Sequence, residues 1–251
     1  MKVRGFTLIE LVIVLVLIGI SAIFSTRFIA DMAASYVGTA ERGQALAGAR
    51  FALERLRREL AVAYGPSVYI NDEKTCLSFV AALAAGTYQG SVRDKLATFV
   101  VPRNLQDEII TNTYMAIRAS NDEALWKNYP ADELANVNKL KDQAGKVPSL
   151  TFGDAFNAAD FDREGFGQRF TLLKSEQVRF CMDDKGNLRR EVKDGENWNE
   201  GEGVLMLSGI AHREVFLDYN KSKQLIRLEL VLSTRDGNLV LPGQLQVTYA
   251  P

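Results

Sequence analysis

The chain opens with a block of apolar residues that is too long and too uniform for a surface helix. Every residue from Leu11 to Ile20 is apolar or glycine, and the next charge is Arg27. Phe6 to Phe24 covers 19 residues, which is roughly 28 Å of helix and close to the thickness of a bilayer's hydrocarbon core. A buried core helix of this length usually has a polar face, so the pattern favours a membrane-spanning helix.

Beyond this block, apolar residues recur at intervals of three and four, which predicts one face of an amphipathic helix. They are Leu46, Ala49, Leu53, Leu56, Leu60 and Ala63. Pro66 is the first proline and follows Gly65 directly, a strong stop signal. We therefore predict one helix from Phe6 to Tyr64, roughly 88 Å long. Because fewer than three heptads are present, its outer half is expected to pack on a globular head rather than in a coiled coil.

Two features of this outer half leave alternatives. Gly38, Gly43 and Gly48 each weaken a helix by about 1 kcal/mol relative to alanine, so the helix can bend or melt there. A basic cluster follows, formed by Arg55, Arg57 and Arg58. It resembles an anionic lipid or DNA site, but the neighbouring glutamates favour a solvated helix face.

From about residue 170 the pattern predicts strands and tight turns. Glu176–Met182 and Leu188–Val192 alternate around a turn cluster, and an Asp-Gly turn separates Gln224–Leu232 from Leu239–Tyr249. In the last segment, Pro242 and Gly243 require a bulge or a sheet edge. Consecutive strands joined by tight turns predict an antiparallel sheet, and hence an α+β fold. Residues 80–170 give no clear pattern and are expected to contain a variable insertion.

Composition and charge argue against several classes of function. The chain has 30 basic and 31 acidic residues, so no basic excess favours nucleic-acid binding. His212 is the single histidine and stands in no nucleophile motif, so we expect no enzyme, no cofactor and no metal site. Asp160, Asp162 and Glu164 have the spacing of a calcium loop, but Thr171 stands where the bidentate glutamate is needed, which favours a solvated acidic loop.

Charges around the apolar block bear on its orientation and role. Lys2 and Arg4 precede it, which predicts a cytoplasmic N-terminus. A cleaved secretory signal is the alternative, although the residues after the block form a poor cleavage site. Glu10 lies inside the block, where a carboxylate costs about 2.5–3.5 kcal/mol on insertion scales. It is either functional or a carboxylate that reaches the membrane surface.

The string from Gly5 to Leu11, GFTLIEL, resembles the leader junction of type IV pilins and type II secretion pseudopilins. The resemblance implies a cut between Gly5 and Phe6 by prepilin peptidase and N-methylation of Phe6. It also implies that Glu10 meets the terminal amine of a neighbouring subunit. The Leu53–Leu60 string also resembles the helix end of minor pilins of the J/W type. The C-terminal strands resemble the sheet of J-type minor pilins and of minor pilins from mannose-sensitive haemagglutinin pili. The implied fold is a long helix packed on an antiparallel sheet.

This family divides the chain into a leader (1–5), a transmembrane half-helix (6–28), a periplasmic half-helix (29–65) and a head (66–251). If the head is periplasmic, oxidation is the default fate of a cysteine pair, so we predict a Cys76–Cys181 disulfide, with two buried thiols as the alternative. We expect a minor pilin-like subunit of the inner membrane that contacts lipid, prepilin peptidase and other pilin subunits. The alternatives are a type II secretion minor pseudopilin and a binding or adhesion module at a filament tip.

Overall fold

The computed structural model combines one long helix with antiparallel sheets. It describes residues 7–94, 97–100, 113–118, 125, 134–141, 149–152, 164–193, 198 and 203–248, with 134–141 and 149–152 described for the backbone. The described strands are β1 (Tyr69–Ile70), β2 (Cys76–Gln89), β3 (Thr98–Val100), β4 (Thr113–Ala116), β5 (Leu134–Lys141), β6 (Ser149–Phe152), β7 (Arg169–Met182), β8 (Leu188–Lys193), β9 (Val204–Leu207), β10 (Phe216–Asn220), β11 (Leu225–Thr234) and β12 (Gly237–Gln246). The predicted α+β class is confirmed.

Helix α1 runs without a break from Leu8 to Leu60, over 53 residues. The three glycines therefore do not interrupt it. The helix ends four residues before the predicted Tyr64 because the following backbone pairs with β2. The Ala82 N–H donates to the Val62 carbonyl at 2.7 Å, and the Tyr64 N–H donates to the Val80 carbonyl at 2.9 Å.

The outer half of α1 packs on the head, as its apolar spacing predicts. Ala49, Ala52, Leu56 and Leu60 are at most 2% exposed and belong to the main core cluster. The sheets contribute Phe79, Phe180, Phe216, Ile226 and Leu230 to the same cluster, among others. Head packing, rather than a coiled coil, therefore explains the apolar stripe.

Within the described residues, two antiparallel sheets form the head. The larger has the order β1-β2-β7-β4-β5-β6, with β3 added to β2 and with β8 joining β7 to β9. The smaller has the order β10-β11-β12. Its two longest strands pair without a register shift from Thr234↔Gly237 to Leu225↔Gln246. Pro242 therefore causes no bulge, and β12 is an edge strand of the described sheet.

The centre of the larger sheet is the pair β2 and β7, each 14 residues long. Their ladder extends from Cys76↔Cys181 to Thr87↔Arg169. The start of the segment that the sequence leaves uninterpreted, residues 80–89, is thus the second half of a central strand. A separate group of rings, Tyr88, Phe99 and Phe170, packs at that end of the ladder, with centroids 5.5 Å apart for Tyr88–Phe99 and for Phe99–Phe170.

Candidate assembly site

Glu10 lies in the first turn of α1, and its side chain is exposed. Thr7 is the residue before the helix, and its carbonyl accepts the N–H of Glu10 at 3.1 Å and that of Leu11 at 3.3 Å. The helix therefore begins with a fixed turn that holds Glu10 among apolar neighbours. Gly5 and Phe6, the predicted cleavage and methylation positions, lie outside the described residues.

We call the inner half of α1 and the residue before it, 7–37, bare, because none of these residues is buried. Every described residue from Thr7 to Val37 is exposed, including large apolar side chains such as Leu8 (82%) and Phe24 (71%). Among the described helices, α1 is long and apolar enough to cross a membrane by length and composition. An apolar surface of this size needs lipid or other helices to cover it.

The head fixes where the bare half ends. The β11–β12 hairpin tip lies against α1 at Gly38, where a Cβ atom would come within 2.4 Å of the Asp236 carboxylate. One turn further on, Arg42 Nη2 donates to the Asp236 carbonyl at 3.1 Å. Gly38 is therefore the first buried residue of the helix.

An ion pair that the sequence does not predict joins the end of α1 to the sheet. Glu59 Oε1 lies 2.6 Å from Arg190 Nε of β8 and 2.6 Å from Arg55 Nε of the helix itself. Arg190 is 131 positions away in the chain, so local spacing carries no signal for this contact. The remaining arginines of the basic cluster pair with Glu54, at 3.3 Å for Arg57 and 3.2 Å for Arg58.

Cys76 and Cys181 are directly opposite each other on β2 and β7, with Cα atoms 4.2 Å apart, and a disulfide joins them. The backbone before Cys76 is held by Asn71, whose Oδ1 accepts the N–H groups of Thr75 at 2.9 Å and Cys76 at 2.8 Å. The arginines beside the disulfide are neutralised by carboxylates, Arg179 by Glu191 and Arg189 by Asp183. This surface is therefore an internally paired one rather than an open anion site.

Glu164 differs from the solvated loop predicted for it. Its carboxylate accepts the Tyr88 hydroxyl at 2.8 Å, the Ser91 hydroxyl at 2.9 Å and the Val92 N–H at 3.0 Å. Partial burial acts to raise the pKa of Glu164, but these hydrogen bonds outweigh it and hold the pKa below its ordinary value. Asp160 and Asp162 lie outside the described residues, so the rest of the proposed loop is not described.

His212 is exposed, and among the described residues it is not part of a candidate site. Among the described residues, no three His, Cys, Asp or Glu side chains are grouped closely enough to hold a metal ion. The candidate site is the exposed inner half of α1, with Glu10 as the acidic side chain within its apolar run.

Comparison with known families finds a match in the segment that contains Glu10 and the start of α1. Residues 1–26 match the prokaryotic N-terminal methylation motif, which is the type IV pilin signal. No curated protein and no solved structure matches the chain. The motif implies processing by prepilin peptidase and assembly with other pilin subunits. With this signal, its long apolar helix and its antiparallel sheets, the chain is consistent with the pilin and pseudopilin superfamily.

Proposed function

We propose that this protein is a minor pilin-like structural subunit that takes part in assembling or priming a type IV pilus-type filament. Prepilin peptidase cuts between Gly5 and Phe6, and the new terminal amine of Phe6 is methylated. Residues 6–28 anchor the subunit in the inner membrane, in contact with lipid, until it enters the filament. The observation that carries the proposal is the bare apolar helix with one carboxylate, Glu10, inside its uninterrupted apolar run, in the first turn.

Electrostatics supports a pairing role for Glu10. Opposite charges attract far more strongly in a low-dielectric environment than in water, and an unpaired carboxylate there is costly. The terminal amine of an adjacent subunit would satisfy Glu10 and favour one docking register. A subunit lacking this carboxylate should insert and be cleaved normally but dock poorly.

The head is proposed to lie in the periplasm. Lys2 and Arg4 precede the span, in agreement with a cytoplasmic N-terminus. The Cys76–Cys181 disulfide supports the same orientation, since disulfides persist in oxidising compartments and are rare in the cytosol. The division into a leader (1–5), two half-helices (6–28 and 29–65) and a head (66–251) remains part of this proposal.

The test is Glu10→Ala in the full-length chain, with Glu41→Ala as the matched control, because Glu41 is an exposed carboxylate on the same helix beyond the span. We expect Glu10→Ala to reduce incorporation into sheared filaments at least tenfold, while the N-terminal mass still shows cleavage after Gly5 and a methyl group on Phe6. Glu41→Ala should be incorporated normally. Normal incorporation of Glu10→Ala would contradict the pairing mechanism, and a mature protein that keeps Met1 would contradict the proposed function.

A type II secretion pseudopilus is the second candidate, because the methylation motif and the bare helix serve both machines. Deleting the gene for this protein distinguishes the pilus from the pseudopilus. Loss of surface filaments with normal protein secretion supports the pilus, and the reverse result supports the pseudopilus.

A further inference from the structure

The outer half of α1 has a second stripe on the face opposite the buried one. We call Phe51, Arg55, Arg58 and Val62 the outer patch. The spacing of four and three places Phe51, Arg55 and Arg58 on one face of α1, and Val62 stands in the turn directly after the helix. Each of the four is exposed, Phe51 by 64% and Val62 by 47% of its surface. The neighbouring Ala52 and Leu56, on the other face, are 2% exposed.

Large apolar side chains on this face are not explained by the fold of the subunit. A single exposed apolar residue on a surface is ordinary. Here Phe51 lies in helical register with two arginines, and Val62 follows in the turn that ends the helix whose inner half is already the candidate assembly surface. Aromatic and arginine side chains are enriched in the residues that dominate protein interfaces. The outer patch therefore lies on the same helix as that surface and begins 14 positions beyond Val37.

The charge around the patch selects the partner's chemistry. The segment 50–59 has four arginines and two glutamates. One of these glutamates, Glu59, is shared between Arg55 and Arg190, so it neutralises Arg55 incompletely. The head, residues 66–251, has 22 basic and 26 acidic residues. A head of this kind is acidic and complements the patch.

We propose that the outer patch docks on the acidic head surface of an adjacent pilin-type subunit, which rests on the proposed function above. Phe51 and Val62 lose their exposed apolar surface in this contact. Arg58 exchanges its weak surface pair with Glu54 for a carboxylate of the neighbour, and Arg55 gains a carboxylate of the neighbour beside the Glu59 that it shares with Arg190. A lipid headgroup is disfavoured because Phe51 lies 23 residues beyond Phe28, about 34 Å along the helix from the expected end of the span. A nucleic acid is disfavoured because Glu54 lies among the arginines.

The experiment places the photocrosslinker p-benzoyl-phenylalanine at Phe51, and separately at Val14 within the span, in the full-length chain in its own cells. We expect the probe at Phe51 to form an adduct with the head of another methylated subunit, a second copy of this chain included, identified by mass spectrometry. Arg55→Glu combined with Arg58→Glu should reduce this adduct at least fivefold. The matched control is Arg213→Glu combined with Arg235→Glu, two exposed arginines elsewhere on the head, and it should leave the adduct unchanged.

The outcomes separate this proposal from the proposed function. An adduct from Val14 without one from Phe51 overturns the docking role of the patch while leaving assembly through the helix intact. No adduct from either position contradicts the proposed function itself. An adduct of Phe51 with lipid or with nuclease-sensitive material also overturns the proposal. If the glutamate variant lowers the subunit level, Arg55→Gln with Arg58→Gln provides the same readout without new negative charge.

Discussion

At the scale of single residues, Glu164 shows how one carboxylate can fix two turns. It accepts hydrogen bonds from Tyr88, Ser91 and Val92 on one side, while its neighbour Gly165 donates its N–H to the Tyr88 hydroxyl at 2.7 Å. Burial and the hydrogen bond to Glu164 also raise the pKa of Tyr88, so the hydroxyl stays protonated and remains a donor. The 88–92 turn is thereby tied to the turn that begins β7.

Glu164→Gln should lower the free energy of unfolding by about 1–3 kcal/mol, because the amide nitrogen cannot accept the hydrogen bonds that the carboxylate receives. The folded pKa lies below the unfolded value of about 4.3. The stabilisation is thus fully present above that pH and is lost as the pH falls through the folded pKa. Thermal unfolding of the purified full-length chain at pH 7 and pH 3 measures it.

Glu176→Gln is the matched control for this prediction, because Glu176 is an exposed glutamate on β7. It should change the midpoint of unfolding little at either pH. A Glu164→Gln variant as stable as the unmodified chain at pH 7 would show that the carboxylate does not hold the two turns together.

Replacing glycine by alanine should have opposite effects on stability at two positions, Gly86 and Gly43. At Gly86 a Cβ atom would lie 2.4 Å from Phe170 Cζ and 2.8 Å from the Val100 carbonyl oxygen, so Gly86→Ala should destabilise by about 1–3 kcal/mol through overpacking. At Gly43 nothing lies within 4 Å, so Gly43→Ala should stabilise the exposed helix by up to about 1 kcal/mol. Thermal unfolding of both variants compares them, and equal midpoints would contradict the packing described at Gly86.

At the scale of elements, the disulfide closes the ladder of β2 and β7 at one end. It links positions 105 apart in sequence, and in the chain-entropy model a loop of about 100 residues contributes about 4.7 kcal/mol. Because Cys76 and Cys181 are direct partners in the antiparallel register, the bond also holds that register at the point where β2 begins.

Thiol labelling tests this element directly. The native chain should accept no label without reductant, and after reduction both cysteines should react. Cys76→Ala combined with Cys181→Ala should lower the free energy of unfolding by about 2–5 kcal/mol. As a control, labelling in denaturant without reductant distinguishes a bond from burial, and two reactive thiols under that condition would contradict the disulfide.

The elements that the sequence predicts well are those whose residues are neighbours in the chain. The stripe from Ala49 to Ala63 and the Asp236-Gly237 turn depend on local spacing, and both lie in the structure as predicted. The sequence does not predict residues 80–89 as a strand, because β2 is buried for much of its length and rich in alanine. No alternation of polar and apolar residues therefore marks it. The sequence places the end of α1 too late, because Val62 and Tyr64 form backbone hydrogen bonds with β2 and no local signal marks this pairing.

The same reasoning separates the predicted and missed parts of the candidate site. Glu10 stands out in sequence because charge is rare in an apolar run. The outer patch does not, since Phe51 and Val62 are unremarkable until the structure shows that the head covers the other face of the helix. Contacts such as Glu59–Arg190 depend on the pairing of distant segments.

At the scale of the whole molecule, α1 serves two environments in succession. Its described residues up to Val37 are exposed, whereas Gly38 and the stripe beyond it are buried against the head. The boundary is set by the β11–β12 hairpin tip at Gly38 and Arg42. The molecule is therefore a head carried at one end of a long helix whose other half is exposed.

The ladder of β2 and β7 has a consequence for how such a subunit can diversify. The chain leaves the ladder beyond Gln89 and returns at Arg169, and Thr87 and Arg169 face each other across one strand spacing. The segment between these two residues therefore begins and ends at adjacent positions of the ladder. The half of the ladder that packs on α1 keeps its own register. Because β3 and β4 lie in this segment and pair with β2 and β7, a protein engineer grafting an epitope there would keep these two strands and could replace residues between them, leaving the end of the ladder closed by the disulfide undisturbed.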